Sequence, residues 1–207
     1  MTATAEETIA HAPAAHTEGH HTSTGLSNEK LGMWIFLGSE CMLFGGLIST
    51  FLLLRSKPVL RGPEVADLYD IPFTSVSSFV LLMSSLTMVL ALAGIQRGDH
   101  RRARTWLLTT ALLGSVFVSG QVYEFTVFYR EGLGFTTNLQ SSALYVLTGF
   151  HGVHVTIGIL MLVSLYVISL RGNLPTERSE TVEIVGLYWH FVDVVWILIF
   201  TVVYLIK

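Results

Sequence analysis

The sequence predicts an all-α integral membrane protein that folds as a bundle of five transmembrane helices. Only 13% of its 207 residues are charged, whereas soluble domains of this size carry about 25%. The mean hydropathy is +0.59, and five apolar spans follow one another along the chain. Each span supplies the roughly 20 residues that a helix needs to cross the hydrocarbon core.

The first region, residues 1–28, contains no apolar span and is rich in alanine, threonine and histidine. This composition predicts a disordered aqueous tail rather than a targeting segment. Residues 29–207 then form the five-helix transmembrane domain. The tail histidines could hold adventitious metal, although a mobile tail is the simpler interpretation; they are His11, His16, His20 and His21.

The five apolar spans are expected in order at residues 31–54, 75–95, 105–128, 142–170 and 184–206. The longest connection follows the first span, and an irregular surface loop is indicated there by Pro58, Gly62, Pro63 and Pro72. Small residues predict close helix packing; they are Gly45 and Ser49 in the first span, Ser75, Ser78 and Ser85 in the second, and Gly149, Gly152 and Gly158 in the fourth.

The basic residues favour an orientation with the N-terminus inside and the C-terminus outside. The N-terminal side of the bundle would carry Lys30, Arg97, Arg101, Arg102, Arg104, Arg171 and Arg178, and the other side Arg55, Lys57, Arg61, Arg130 and Lys207. The cluster at residues 97–104 strengthens this bias. The same cluster predicts a site for anionic lipid headgroups at Arg97, Arg101, Arg102 and Arg104, with a plain topology signal as the alternative.

Ionisable residues inside the spans are the candidate functional residues; they are Glu40, Glu124, His151, His154, His190 and Asp193. Such groups normally face protein, because a charge at mid-membrane costs roughly 2.5–3.5 kcal/mol on insertion scales. His190 and Asp193 are three residues apart and therefore share a helix face. Helix rise alone predicts that His154 and Asp193 are partners or near neighbours and that Glu124 pairs with His151.

An interhelical hydrogen bond is the simplest role for each of these residues, and we favour a functional role for Glu40. His151, His154 and His190 could also bind zinc, copper or haem, but spacing alone is weak evidence and we predict no metal in this chain. A single cysteine, Cys41, excludes an internal disulfide and any multi-cysteine metal site. A net charge of −3 gives no reason to expect nucleic-acid binding.

Four segments resemble subunit III of haem–copper terminal oxidases. They are LGMWIFLGSE at 31–40, QVYEF at 121–125, TGFHGVHV at 148–155 and YWHFVDVVW at 188–196. The chain is similar to the short five-helix forms of bacterial quinol oxidases and of some bacterial cytochrome c oxidases. Longer members have two further helices at the N-terminus, which form one wall of a lipid cleft.

The resemblance implies a multi-pass subunit in the bacterial plasma membrane that has no catalytic residues and belongs to a proton-pumping respiratory oxidase. It implies that the chain contacts subunit I directly and belongs to the same complex as subunit II and other respiratory subunits. It also implies bound structural phospholipid. Haem and copper would reside in the partner subunits and not in this chain. Glu40 matches the buried, carbodiimide-reactive glutamate of the family, and His151, His154, His190 and Asp193 match its polar intramembrane positions. The alternatives are an accessory protein of nitric oxide reductase and a standalone proton-coupled transporter.

Overall fold

A computed structural model describes residues 27–56, 70–172 and 179–206 of the chain. Within these ranges the helices are α1 Asn28–Arg55, α2 Ile71–Gln96, α3 His100–Arg130, α4 Leu139–Leu170 and α5 Ser179–Phe200, and a π-helical turn Thr201–Leu205 continues α5. All five are long and apolar enough to cross a membrane. The five predicted spans are therefore confirmed, and the helices begin a few residues earlier than hydropathy alone indicated.

Helix α1 begins inside the region predicted as a tail. The side chain of Ser27 accepts a hydrogen bond from the backbone N–H of Lys30 at 3.2 Å, which caps the first turn from Asn28 onward. The rest of the predicted tail, with its four histidines, lies outside the described residues.

Helix α2 begins within the predicted loop, at Ile71. Asp70 caps it by accepting a hydrogen bond from the backbone N–H of Phe73 at 3.1 Å. Pro72 therefore belongs to the first turn of the helix rather than to the loop. Proline is tolerated there because the first backbone N–H groups of a helix have no intrahelical partner. Residues 57–69 of the predicted loop lie outside the described residues.

The connection between α2 and α3 is a tight turn. Gly98 adopts φ +73°, a left-handed conformation that glycine reaches without a Cβ clash. Asp99 then caps α3 by accepting a hydrogen bond from the backbone N–H of Arg102 at 3.1 Å. The turn holds the predicted basic cluster at one end of the bundle.

Helix α5 lies in the middle of the bundle and packs on α1, α2 and α4. Helix α1 lies at the periphery and buries a seven-residue repeat of apolar side chains, namely Leu37, Phe44 and Phe51. It runs parallel to α5, because Lys30 pairs with Glu183 at one end (2.6 Å) and Arg55 donates to the carbonyl of Val202 at the other (2.8 Å).

Small residues permit the closest helix contacts around Trp189 of α5. A Cβ at Gly114 of α3 or at Gly158 of α4 would lie within 3.0 Å of the indole ring. The indole Nε1 donates to the hydroxyl of Ser84 in α2 at 2.9 Å. The packing role predicted for Gly158 is thus confirmed, whereas within the described residues no atom of another helix lies within 4 Å of a Cβ built on Gly45 or Gly149.

Candidate functional site

The first polar site joins α1 to α4. His154 Nε2 lies 3.1 Å from Glu40 Oε2, and the two side chains are 13% and 14% exposed. The other ring nitrogen, Nδ1, lies 2.7 Å from the carbonyl of Phe150. A carbonyl only accepts, so Nδ1 carries a hydrogen, and one proton remains between Nε2 and the carboxyl group of Glu40. The pair is therefore a proton-holding contact inside an apolar region.

The second polar site joins α5 to α2. Ser85 donates to Asp193 Oδ2 at 2.5 Å, and His190 Nδ1 lies 3.1 Å from the same hydroxyl oxygen. The predicted common face of His190 and Asp193 is confirmed, because both reach Ser85. The predicted pairing of His154 with Asp193 is wrong: helix rise gives the depth of a residue but not its direction around the bundle.

The third polar site surrounds Glu124, which is 6% exposed. Its Oε1 accepts from the hydroxyl of Tyr204 at 2.9 Å and lies 3.0 Å from the hydroxyl of Thr74. These contacts tie α3 to the start of α2 and to the end of the last helix. The predicted pairing with His151 is wrong for the same reason as above, because Glu124 and His151 face different neighbours.

His151 is a packed core residue with no exposed surface. Its Nε2 donates to the carbonyl of Val192 at 3.1 Å. The imidazole lies against the rings of Phe117 and Trp196, with centroid distances of 5.8 and 4.8 Å. The side chain of His151 therefore points towards α5, and it makes no hydrogen bond with Glu40.

Some polar residues of the interior carry no signal that singles them out in the sequence. Gln121 is 7% exposed, and neither of its amide atoms has a hydrogen-bond partner among the described residues. It lies beside Gly152, whose added Cβ would approach Gln121 Oε1 to 3.1 Å. The hydroxyl of Tyr188 donates to the carbonyl of His154 at 3.0 Å and so supports the first site.

The basic cluster is divided between solvent and the bundle. Arg102, with a side chain 76% exposed, pairs with Asp99 at 3.1 Å. Arg104 instead donates from Nε to the hydroxyl of Ser169 in α4 at 3.0 Å. Arg104 therefore connects two helices at the end of the bundle where the cluster lies.

The three sites contain no metal centre within residues 27–56, 70–172 and 179–206. No group of three or more histidine, cysteine, aspartate or glutamate side chains is placed to hold an ion there. His151, His154 and His190 each use a ring nitrogen in a separate contact. Fold and sites together define a multi-pass membrane bundle whose interior polar groups bind one another across helices.

Comparison with known proteins identifies the family. Residues 9–207 match the family described as cytochrome c oxidase subunit III. Cytochrome c oxidase subunit 3 of Bacillus sp. (strain PS3) is 40% identical over 178 residues, which are 86% of either chain. The probable quinol oxidase subunit 3 of Staphylococcus saprophyticus is 39% identical over 178 residues, 86% of this chain and 88% of the relative. That of Staphylococcus aureus (strain USA300) is 38% identical over 177 residues, with the same two coverages.

The chain therefore belongs to the cytochrome c oxidase subunit III family. It is a non-catalytic, multi-pass subunit of a haem–copper oxidase complex in the bacterial plasma membrane. The relatives named above are oxidase subunits, which gives no support to a nitric oxide reductase accessory protein or to a standalone transporter.

Proposed function

We propose that this chain packs directly beside the haem-bearing subunit I, together with subunit II, and that it stabilises subunit I and supports its proton uptake. Haem and copper then reside in those partner subunits, where they supply the oxygen chemistry. The observation that carries the proton role is the contact between Glu40 and His154. The carboxyl group and the imidazole hold one proton between them, and either group can carry it, so the contact provides a proton-bearing site within an apolar span.

The depth of this pair suits a relay into the membrane. Glu40 lies twelve residues after Asn28, which corresponds to about 18 Å of helix. A proton held there has therefore entered roughly half of the bilayer. The remaining polar sites, at Glu124, His151, His190 and Asp193, act in this proposal as interhelical hydrogen bonds that fix the bundle around the pair.

The proposed orientation places the N-terminus of α1 and the turn between α2 and α3 on the cytoplasmic side. Arg97, Arg101 and Arg102 would then meet anionic lipid headgroups, each contributing roughly 1 kcal/mol. Arg104 is the exception within the predicted lipid site, since its guanidinium group is engaged with Ser169. Structural phospholipid would bind at this end of the bundle.

The test is purification of the tagged chain from its native membrane, followed by assay of the complex with and without it. We expect haem-bearing subunits to co-purify. The depleted complex should keep its initial rate of oxygen reduction, slow down at alkaline pH and inactivate faster during turnover. Glu40→Gln should reproduce the alkaline defect without loss of the subunit. An unchanged pH dependence and turnover lifetime would leave only a structural role, and isolation without haem would refute the proposed complex.

A further inference from the structure

A polar group lies on the outer surface of the bundle between α2 and α5. Asp193 is 4% exposed, whereas Ser85 and His190 are only partly buried. The hydroxyl of Ser85 has one hydrogen, which it donates to Asp193 at 2.5 Å. Its oxygen therefore accepts from Nδ1–H of His190, 3.1 Å away. Nε2 of His190 is then left with a free lone pair, which requires a hydrogen-bond donor.

This free nitrogen lies near the middle of the membrane. His190 follows the start of α5 by eleven residues, and Ser85 precedes the end of α2 by eleven. Both offsets correspond to about 17 Å of helix, far from either headgroup region. Among the described residues Nε2 of His190 has no hydrogen-bond partner. This nitrogen is also not buried inside the bundle, so a group outside the chain can reach it. Polar side chains at this depth normally face protein rather than acyl chains.

Two other outward-facing polar sites near this depth, at His154 and on α3, are satisfied within the chain. His154 has Glu40 on one ring nitrogen and its own helix on the other. On the outer face of α3, the hydroxyls of Ser115 and Ser119 each donate to the carbonyl four residues earlier, at 2.8 Å. These α3 hydroxyls therefore need no outside partner, whereas Nε2 of His190 does.

We propose that the α2–α5 face binds a transmembrane helix of the haem-bearing subunit, which places a hydrogen-bond donor opposite Nε2 of His190. The face consists of the partly or fully exposed residues Leu82, Ser85 and Val89 of α2 and His190, Val194 and Ile197 of α5. Its apolar residues follow helical spacing above and below the polar site and supply the packing area that transmembrane helix association uses. The identity of the partner depends on the proposed function, and the location of the interface is the new element.

Site-specific photo-crosslinking in the complete complex, in native membranes, tests the location. A photoreactive amino acid at Val194 or Val89 should crosslink this chain to a haem-bearing subunit. The same probe at Leu112 or Val116, which are 58% and 59% exposed on α3, should not. The proposed interface would be wrong if only the α3 probes crosslinked to that subunit, or if the probes at Val194 and Val89 gave no crosslink while haem still co-purified. Either result would leave the proposed function intact. Absence of haem from the purified wild-type complex would overturn both.

A substitution distinguishes a hydrogen bond from simple apolar contact. His190→Leu should lower retention of this subunit in the detergent-extracted complex by about fivefold, the effect of one net hydrogen bond. His190→Gln should recover part of that loss, since its carbonyl oxygen can accept from the same donor. The matched control is Ser119→Ala, whose hydroxyl donates within its own helix and whose loss should leave retention unchanged. Equal retention for His190→Leu and the wild type would refute the proposed donor.

Discussion

Trp189 offers the sharpest test of how the bundle is packed, through the substitution Gly158→Ala. The added Cβ would lie 2.8 and 2.9 Å from Cε3 and Cζ3 of the indole. The ring has little room to move away, because it also packs closely on the backbone of Gly114, where an added Cβ would lie only 2.5 Å from the indole. Its Nε1 is also held by Ser84 at 2.9 Å. The new methyl group must therefore push α4 and α5 apart or displace the ring.

The expected cost follows from these contacts. Overpacking in a well-packed interior costs about 1–3 kcal/mol, and a displaced ring would also lose the net value of its hydrogen bond, about 1 kcal/mol. Replacing glycine by alanine in a helix returns about 1 kcal/mol. The net loss of unfolding free energy should be about 1–3 kcal/mol. Gly149→Ala in the same helix is the matched control, because no described atom of another helix lies within 4 Å of a Cβ added there.

The assay is unfolding of the detergent-purified chain during titration with a denaturing detergent, followed by circular dichroism. Gly158→Ala should unfold at a lower detergent fraction than the wild type, and Gly149→Ala at the same or a higher one. In a Trp189→Phe background, Gly158→Ala should cost less stability than it does in the wild type, because the smaller phenyl ring leaves room for the added methyl group. If Gly158→Ala proves as stable as Gly149→Ala, the indole is not the rigid wedge that these distances describe.

Substitutions at three positions test the polar contacts. Glu40→Gln should preserve assembly, because the amide can still hydrogen-bond to His154, whereas Glu40→Leu should loosen α1; the fraction of subunit retained after detergent extraction measures both. Asp193→Ala should lower the yield of assembled complex more than Asp193→Asn, since loss of one buried polar partner costs up to about 3–5 kcal/mol when a charge is left uncompensated; equal yields would contradict this. Lys30→Gln should cost at most about 1 kcal/mol and lose its effect at high salt, because the pair with Glu183 is partly exposed.

The sequence predicted the helices well and their polar partners poorly. Span positions follow from apolar composition and length, which a single chain contains completely. Partners depend on the rotation of each helix about its axis, which packing decides. His154 illustrates this, because its depth matched that of Asp193, yet it faces Glu40 of the peripheral helix.

The interior also contains contacts that no periodicity indicates. Nothing in the sequence distinguishes Gly114 from the other glycines, although a Cβ there would approach Trp189 more closely than one at Gly158. Gln121 resembles an ordinary residue of an apolar span until its neighbours from α4 are known. Both depend on which side chain the adjacent helix presents. That choice is made by the whole bundle rather than by any local segment.

Helix α1 shows why the proton-holding contact is also a structural contact. It is the least buried of the five helices, and apolar burial gives little net drive for helix association within lipid. Polar contacts fix it at three levels: Lys30 with Glu183 near one end, Glu40 with His154 in the middle, and Arg55 with the carbonyl of Val202 near the other. The two end contacts set its depth and direction, so the middle contact mainly sets its rotation. A substitution at the middle pair that slows the complex at alkaline pH while both end contacts persist would therefore separate the proton role from the anchoring role.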